Sequence, residues 1–494
     1  MENNNLNALI KKNFSSLNHD ATVIEGIVMK YEQKAKNIAA RLSNLDATLQ
    51  ADYAISTIPP QGIKIEQPGT YYFTNNITWL PGMGNTGIGI DILCDDVILD
   101  LNGYQLIAFS PNSTIKVIGV NCTGTNITIQ NGELNGMSFH GINAALTLNL
   151  SIINITVRGS EYAYLGTDYL VTPSGIYVEF SNHANIKNCK VTGINVTAPA
   201  YAGIQLFTLK NTNVSDCEIS HLVNNDGTVT GFSYVACELV STKNCHSSGF
   251  RSHYLGQTTT LGHTVLGFLP TGCTNLQYED CTASHLRGCC DDCHGMSIFD
   301  SNTITVTNFR ANGIIDGDAP TNTGAKATGL EVYGNNIQIK FCVVENIFAI
   351  VPQDKQSCGF SAAGNNITFE SCYANNVIVF DEFRNPTNNY AKYGYGMGFG
   401  WAPDPRKQFV DMNAVDTTYK NCGSLYCQVA FDTWNHINGK WENCKAEHCN
   451  INVLQEIGVT RIFSMDKCSE LPSNMKSPMT INNYASNNSF TPPI

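Results

Sequence analysis

The sequence predicts an all-β solenoid of about 12–13 coils with an α-helical stem in front of it. One observation is a short unit that recurs roughly every 28 residues through most of the 494-residue chain. A second is that each unit alternates apolar and polar residues with the period of a β-strand. The third is a run of heptads near the N-terminus. Together they predict a stem at residues 1–50, a linker at 51–62, the solenoid at 63–470 and a C-terminal tail at 471–494.

The predicted stem is one long amphipathic helix. From Ile10 to Leu49, apolar residues follow one another at alternating steps of four and three, which is the spacing of a coiled coil. Isoleucine at heptad position d, as at Ile24 and Ile38, favours a coiled coil of three helices over one of two, so we expect a homotrimer. The same pattern suits a helix that folds back on its own domain, and both interpretations stay open.

The repeat unit places a polar residue, most often Asn, before a small or apolar residue, most often Cys. Stacked parallel strands bring equivalent residues of successive coils to about 4.8 Å, so we expect asparagine ladders at a turn and cysteines in the interior as small hydrophobes. The unit recurs at Leu101-Asn-Gly103, Gln130-Asn-Gly132, Arg158-Gly159, Asn188-Cys189, Asp216-Cys217, Asn244-Cys245, Asp280-Cys281, Asn308-Phe309, Phe341-Cys342, Ser371-Cys372, Asn421-Cys422, Asn443-Cys444 and Lys467-Cys468.

Composition excludes several classes of partner. Only 14% of residues are charged and the net charge is -12, which argues against nucleic acid because phosphate binding relies on clustered Lys and Arg. No apolar run approaches a membrane span, and no secretory signal is evident, so we expect synthesis in the cytosol without membrane insertion. The 19 cysteines are then expected to be reduced thiols.

Two segments at the start of the solenoid carry a resemblance to a known family, Thr70-Tyr-Tyr-Phe73 and Val97-Ile-Leu-Asp-Leu-Asn-Gly103. With the repeats, residues 61 to 470 resemble the right-handed parallel β-helix of the pectin lyase-like superfamily. That fold hosts lyases, hydrolases, epimerases and inert fibres, so the resemblance implies the fold and leaves the activity open. A stem followed by such a solenoid also resembles phage tailspikes and related viral fibres, which implies a place on a virion or particle surface.

Acidic residues recur 10 to 13 positions after the polar residue of the repeat. Equal offsets predict one acidic line down the solenoid, either a groove for an extended polymer or a place for Ca²⁺, the one cofactor that we consider. The alternative is that Asp is common in turns because it bonds the local backbone. The line comprises Asp226, Asp291, Asp292, Asp318, Asp354, Asp381, Glu382 and Asp432.

The segment Gly288–Met296 interrupts the repeat and carries three further interpretations. Its Asp-Asp and His-Gly pieces resemble those of pectin-cleaving hydrolases, and its Asp-Xaa-His resembles the motif of mannuronan epimerases, with Cys293 in place of a proline. The resemblance implies that Asp291 or Asp292 is the acid or base and His294 its partner. A structural turn and a zinc site remain as alternatives. Adjacent cysteines chelate poorly, so no metal ligand is assigned.

The predicted site has two groups of residues. The predicted catalytic residues are Asp291, Asp292, His294, Asp318 and Glu331. The predicted substrate-binding residues are Arg251, His253, Arg384, Tyr395, Trp401, Asp432 and His436.

These observations favour a protein that binds a polysaccharide or a cell-surface glycan. If it is an enzyme, it is a polysaccharide lyase, a glycoside hydrolase or a uronate epimerase that acts through acids on one lateral face. The alternative is a non-catalytic trimeric fibre or adhesion protein. The sequence leaves both open.

Overall fold

The predicted solenoid is confirmed: the described chain consists of β-strands wound into stacked coils. The computed structural model describes residues 52–82, 86–109, 115–159, 172–225, 227–253, 263–289, 292–317, 326–350, 357–381, 385–387, 395–400, 413–432 and 436–454. The chain divides into two compact units, Met1–Asp52 and Tyr53–Ile494, and the predicted stem and tail lie outside the described residues. Among the described residues, no helix has the length and hydropathy needed to cross a membrane.

The 37 strands of the described residues, numbered in chain order, form three faces, and several strands bend round a corner from one face to the next. The first face consists of β2 (Ile63–Ile65), β5 (Thr86–Ile92), the first parts of β8 (Lys116–Asn135) and β9 (His140–Arg158), β10 (Ser174–Glu179), β13 (Ala200–Phe207), β16 (Thr228–Val235), β20 (Val265–Thr271), the first parts of β23 (Asp292–Thr307), β25 (Lys326–Lys340) and β27 (Ser357–Glu370), β29 (Gly396–Gly400), β33 (Val429–Asp432) and β37 (Ile451–Leu454).

The second face follows the first in each coil. It consists of β1 (Asp52–Ile55), β3 (Gly69–Phe73), β6 (Val97–Asp100), the middle of β8 and β9, β11 (Asn185–Lys187), β14 (Lys210–Ser215), β17 (Glu238–Lys243), β21 (Thr274–Glu279), the last parts of β23, β25 and β27, β30 (Ala414–Val415), β31 (Thr418–Lys420), β34 (His436–Ile437) and β35 (Lys440–Glu442).

The third face completes each coil. It consists of β4 (Ile77–Trp79), β7 (Gln105–Ala108), the ends of β8 and β9, β12 (Lys190–Val196), β15 (Glu218–Asn224), β18 (His246–Ser248), β19 (Arg251–Ser252), β22 (Thr282–Gly288), β24 (Arg310–Asp316), β26 (Val343–Ile350), β28 (Tyr373–Phe380), β32 (Gly423–Leu425) and β36 (Lys445–Glu447).

A ladder of glycines runs down the first face and sets how closely its coils stack. A Cβ on any of them would come within 2.4–3.0 Å of a carbonyl oxygen of the next coil, closer than real Cβ atoms approach. Only glycine therefore fits, and the ladder ends where Ala430 takes the position. Its members are Gly89, Gly119, Gly141, Gly175, Gly203, Gly231, Gly267, Gly295, Gly329, Gly359 and Gly398.

The predicted asparagine ladder is present at the corner between the second and third faces. Asn154 donates its amide to Asn131 at 3.0 Å, and Asn188 donates to Asn154 at 2.7 Å. These residues have φ of 51–56°, the left-handed region that Asn tolerates better than most residues. One predicted position is wrong: the ladder passes through Asn154, whereas Arg158 lies at the end of β9 and pairs with Glu133 at 3.1 Å.

The cysteines that follow this turn point into the solenoid, as predicted. Each is at most 1% exposed, and Phe309 fills the same position in one coil. Every cysteine among the described residues is a free thiol. The inward ladder comprises Cys189, Cys217, Cys245, Cys281, Cys342, Cys372, Cys422 and Cys444.

The solenoid starts earlier than the sequence predicts. Strand β1 lies in the predicted linker, and Ile55 and Ile58 are buried in the core. The backbone N–H of Thr74 donates to the carbonyl of Ile55 at 3.1 Å, which joins this segment to the first coils.

Candidate functional site

Outward side chains of β23 and β25 form a polar cluster on the first face. The strands are parallel and in register, so three pairs of side chains lie beside one another on neighbouring coils. Lysine and two carboxylates meet here because the residues three and one before each ladder glycine, and the residue two after it, all face outward. The pairs are Asp292 with Lys326, His294 with Thr328, and Ser297 with Glu331.

His294 lies between two carboxylates. Its Nδ1 is 3.6 Å from Glu331 Oε2, and its Nε2 is 3.9 Å from Asp292 Oδ2. Three of the five predicted catalytic residues are therefore brought together, although 37 residues separate His294 from Glu331 in the chain. Asp291 and Asp318 lie outside the described residues.

Glu331 is fully buried and held by partners from two coils. Lys326 Nζ donates to Glu331 Oε1, and Ser297 Oγ donates to Oε2 at 3.0 Å. Burial alone lowers the pKa of Lys326, but the negative charges around it, Glu331 first, raise that pKa above its ordinary value. Lys326 therefore remains charged, and its charge favours the ionised form of Glu331.

Tyr333 borders the cluster on the same strand. Burial raises the pKa of its hydroxyl, and the charge of Glu331 and a hydrogen bond to it raise that pKa further. The hydroxyl stays protonated and can donate to the carboxylate.

Asp316 fixes the backbone from which Lys326 projects. Its Oδ2 accepts the N–H of Lys326 at 2.7 Å and its Oδ1 accepts that of Gly317 at 3.0 Å. The carboxylate thus joins the two ends of the connection from β24 to β25. It is a positioning group for Lys326.

Two buried atoms of the cluster have no hydrogen-bond partner among the described residues. They are His294 Nδ1 and Thr328 Oγ1, whose residues lie side by side in the β-ladder. Buried polar groups of folded proteins are nearly always paired, so this pair marks a place where a ligand or a water belongs.

The zinc alternative does not fit the strand geometry. Cys293 and His294 are neighbours in β23 and project to opposite sides, Cys293 into the core and His294 outward. Burial raises the pKa of the Cys293 thiol, which disfavours the thiolate that zinc needs. In the part of the chain that the structure describes, no group of three or more His, Cys, Asp or Glu is arranged for a metal ion.

The predicted substrate-binding residues are spread over different places. Arg251 is exposed on the third face in register with Arg287, and His253 follows it, also exposed. Tyr395 donates its hydroxyl to Asp432 Oδ2 at 2.8 Å on the later coils of the first face. Arg384 and Trp401 lie outside the described residues.

His436 is in the interior, where a polymer does not reach. Its Nε2 lies 2.8 Å from the Tyr419 hydroxyl, its ring packs against Trp441, and its exposure is 0%. Nearness in the sequence does not bring the two residues to one face: His436 belongs to the second face, whereas Asp432 belongs to the first.

Lys326, Ser297 and Thr328 were missed by the sequence analysis. A second repeat, five residues long and containing the ladder glycine, would have pointed to them. It consists of an outward residue, Gly, an apolar residue, a second outward residue and another apolar residue. It reads His-Gly-Met-Ser-Ile from His294 and Thr-Gly-Leu-Glu-Val from Thr328. Aligning the ladder glycines would have placed these residues side by side.

Fold and site define a parallel β-helix with a buried cluster of charged groups on one lateral face. Neither a protein-family model nor a curated protein matches the sequence.

Solved structures similar to this chain include three proteins at 11% identity. A mutant tailspike protein of E. coli bacteriophage HK620, in complex with a pentasaccharide, covers 77% of this chain and 72% of its own, at a TM-score of 0.39. PfbA, a surface adhesin of Streptococcus pneumoniae, covers 78% and 86% at 0.40. The A-module of the mannuronan C-5 epimerase AlgE4 of Azotobacter vinelandii covers 82% and 87% at 0.31. None of these likenesses assigns a role to a residue here.

Proposed function

We propose that this protein binds a neutral polysaccharide on its first face and hydrolyses it with Glu331 and Asp292. The observation that carries the proposal is the arrangement of these two carboxylates on either side of His294. Glycoside hydrolysis uses a pair of carboxyl groups, one as acid and one as base or nucleophile.

The position of Lys326 indicates which of the two carboxyl groups acts as the acid and which as the base or nucleophile. Because it stays charged beside Glu331, Glu331 remains a carboxylate and suits the base or nucleophile. Asp292 is then the proton donor to the leaving oxygen, with His294 as the group that positions it. Thr328 Oγ1 and His294 Nδ1 are free to bind substrate hydroxyls or the attacking water.

The charges of the cluster favour a neutral chain over a uronate. Lys326, the lysine of the cluster, is already paired with Glu331. A uronate would bring a further carboxylate into this buried environment without a cation to balance it. Hydrolysis of neutral sugars therefore fits better than the lyase or epimerase alternatives, which act on acidic sugars.

The test is a panel of dextran, galactomannan, xyloglucan, alginate and polygalacturonate, assayed for new reducing ends and for unsaturated products. We expect reducing ends without unsaturated products on a neutral polymer. Glu331→Gln should lower kcat at least about 100-fold, because it removes a general acid–base or nucleophilic group.

The matched control is Glu279→Gln on the second face. Glu279 also pairs with a lysine, Lys243, at 3.0 Å, but both side chains are more than half exposed. Glu279→Gln should keep full activity. Unsaturated products, or equal activity of the two variants, would contradict the proposal.

A non-catalytic fibre is the second candidate. The observation that favours it is burial, since Asp292, His294, Lys326 and Glu331 are at most 4% exposed. In that case the cluster is a structural charge network, and the chain presents a glycan-binding surface from a virion or particle. Glycan binding by wild type with no turnover on any polymer of the panel would support this candidate.

A further inference from the structure

The motif of the site occurs a second time, five coils earlier on the same face. His140-Gly141 is followed 34 residues later by Ser174-Gly175, as His294-Gly295 is followed 34 residues later by Thr328-Gly329. The outward residues that follow the second glycine are Tyr177 and Glu179, and in the later copy they are Glu331 and Tyr333. The same two residue types occur in reversed order.

The earlier copy forms a connected hydrogen-bonded cluster. His140 Nδ1 lies 3.0 Å from Ser174 Oγ, and its ring stacks on Tyr177 with centroids 5.1 Å apart. The Tyr177 hydroxyl donates to Glu179 Oε2 at 2.9 Å. At about 4.8 Å per coil, the two copies lie roughly 24 Å apart along the solenoid.

The charged pair is missing from the earlier copy. Ser138 and Thr172 stand at the positions that Asp292 and Lys326 occupy in the later one. Ser138 instead bonds backbone, donating to the carbonyl of Ile115 at 2.8 Å. One carboxylate without a second acid can bind a sugar hydroxyl, but it cannot supply both halves of acid–base hydrolysis.

An exposed aromatic side chain at the corner of the first face makes the earlier copy of the motif accessible to a ligand. Phe180 follows Glu179 and is 50% exposed, and its ring contacts Phe207 of the next coil edge to face at 5.6 Å. Phe180 has a φ of 47°, a left-handed conformation that the equivalent corner residues Leu146 and Thr208 of the neighbouring coils share. Glu179 is half-buried beside it. An exposed aromatic face next to a carboxylate and a hydroxyl is the donor set that sugar rings bind.

We propose that Tyr177, Glu179, Phe180 and Phe207 form a second binding site, which holds the polysaccharide chain without cutting it. The inference rests on the proposed function for the identity of the ligand. A polymer that lies along the first face reaches both sites, whereas a disaccharide is too short to span them. The second site therefore raises affinity for long chains through a local concentration effect.

The experiment measures affinity and turnover separately. Binding of dextran, galactomannan and xyloglucan is measured by affinity electrophoresis, and turnover is measured on each polymer and on its disaccharide to tetrasaccharide fragments. Phe180→Ala and Glu179→Gln should each weaken polymer binding about tenfold or more and leave turnover of the fragments unchanged. Phe341→Ala is the matched control, because Phe341 is 53% exposed with a φ of 56° at another corner. It should change neither quantity.

The outcomes separate the two proposals. Unchanged polymer affinity in both variants, with fragment turnover intact, overturns the second site and leaves the hydrolase standing. Loss of polymer binding in Phe180→Ala without turnover of any substrate by wild type supports the second site and overturns the hydrolase. Equal loss in Phe341→Ala, or no binding of any polymer by wild type, overturns the second site.

Discussion

At the scale of single residues, the unusual feature is a fully buried carboxyl group that pairs with a lysine. Glu331 is held by Lys326 of the same strand and by Ser297 of the preceding coil, and the charge of Lys326 favours its ionised form. Breaking a buried pair leaves an uncompensated charge in a low-dielectric interior, which costs far more than breaking an exposed one.

Lys326→Met should therefore affect both stability and pH dependence. We expect the free energy of unfolding to fall by about 3–5 kcal/mol, because Glu331 is left buried and unpaired. The limb of the pH–rate profile that belongs to Glu331 should move to higher pH, since loss of the opposite charge raises a carboxyl pKa. Denaturant titration and kcat/KM between pH 4 and 9 measure the two effects. Lys243→Met on the exposed pair should change neither the stability nor the pH–rate profile. A loss of stability as large as that of Lys326→Met would contradict the importance of burial.

His140 should make stability depend on pH. The pKa of His140 is lowered to about 3, against 6.5 for the unfolded chain, and burial is the main cause. The hydrogen bond with Ser174 opposes this shift. Between pH 6.5 and 3 the unfolded state binds a proton at His140 and the folded state does not. The contribution of neutral His140 to the stability of the folded state is therefore complete above pH 6.5 and declines as pH falls towards 3. The decline is about 1.4 kcal/mol per pH unit.

The measurement is the free energy of unfolding in urea at pH 7, 6, 5 and 4.5. His140→Gln removes the titrating group and keeps a side chain that can bond Ser174. The difference between wild type and variant should shrink or reverse as pH falls. Parallel curves for the two proteins would show that His140 is not the group responsible.

At the scale of elements, the glycine ladder controls the first face. Each glycine leaves room for the carbonyl of the next coil, and this close stacking brings the outward columns of β23 and β25 into register. The site therefore depends on residues that never touch a ligand.

Gly231→Ala tests the ladder. The new methyl would lie 2.5 Å from the Gly267 carbonyl oxygen and 2.3 Å from Ser247 Oγ, so backbone must move. Overpacking of this kind costs about 1–3 kcal/mol. Gly82→Ala is the control, since its methyl would meet Pro60 only at ordinary contact distances of 3.6–3.9 Å. Chemical denaturation measures both, and equal stability of the two variants would count against the ladder.

At the scale of the whole molecule, oligomeric state remains a prediction from the heptads. The structure changes how it should be tested, because Ile55 and Ile58 belong to the core of the solenoid. A truncation that starts later would remove part of the fold together with the stem.

The comparison is between the intact chain and one that starts at Asp52. Light scattering should give three times the chain mass of 53.9 kDa for the intact protein and a monomer for the truncated one. Circular dichroism of both confirms that the solenoid is folded. A monomeric intact chain would exclude the coiled coil and leave the helix that folds back.

The sequence by itself determined the solenoid, the inward cysteines and the asparagine turns, because one unit repeats in every coil and each copy obeys the same local rules. It also proposed Asp292, His294 and Glu331 as candidate site residues, through an interruption of the repeat and an isolated acid on a strand. The repeat failed at Arg158 because the coil from β8 to β9 is shorter than the period of about 28 residues: Asn131 and Asn154 are only 23 residues apart.

Only the tertiary structure decided which of these residues meet. Insertions between the third and first faces differ in length, so a fixed offset from the turn does not locate a residue on a face. Asp432 and His436 are close in the sequence and still lie on different faces. Inter-strand pairing sets the register instead, and it brings Lys326 to Glu331 and His294 between two carboxylates. That pairing depends on contacts between coils, which no single stretch of sequence contains.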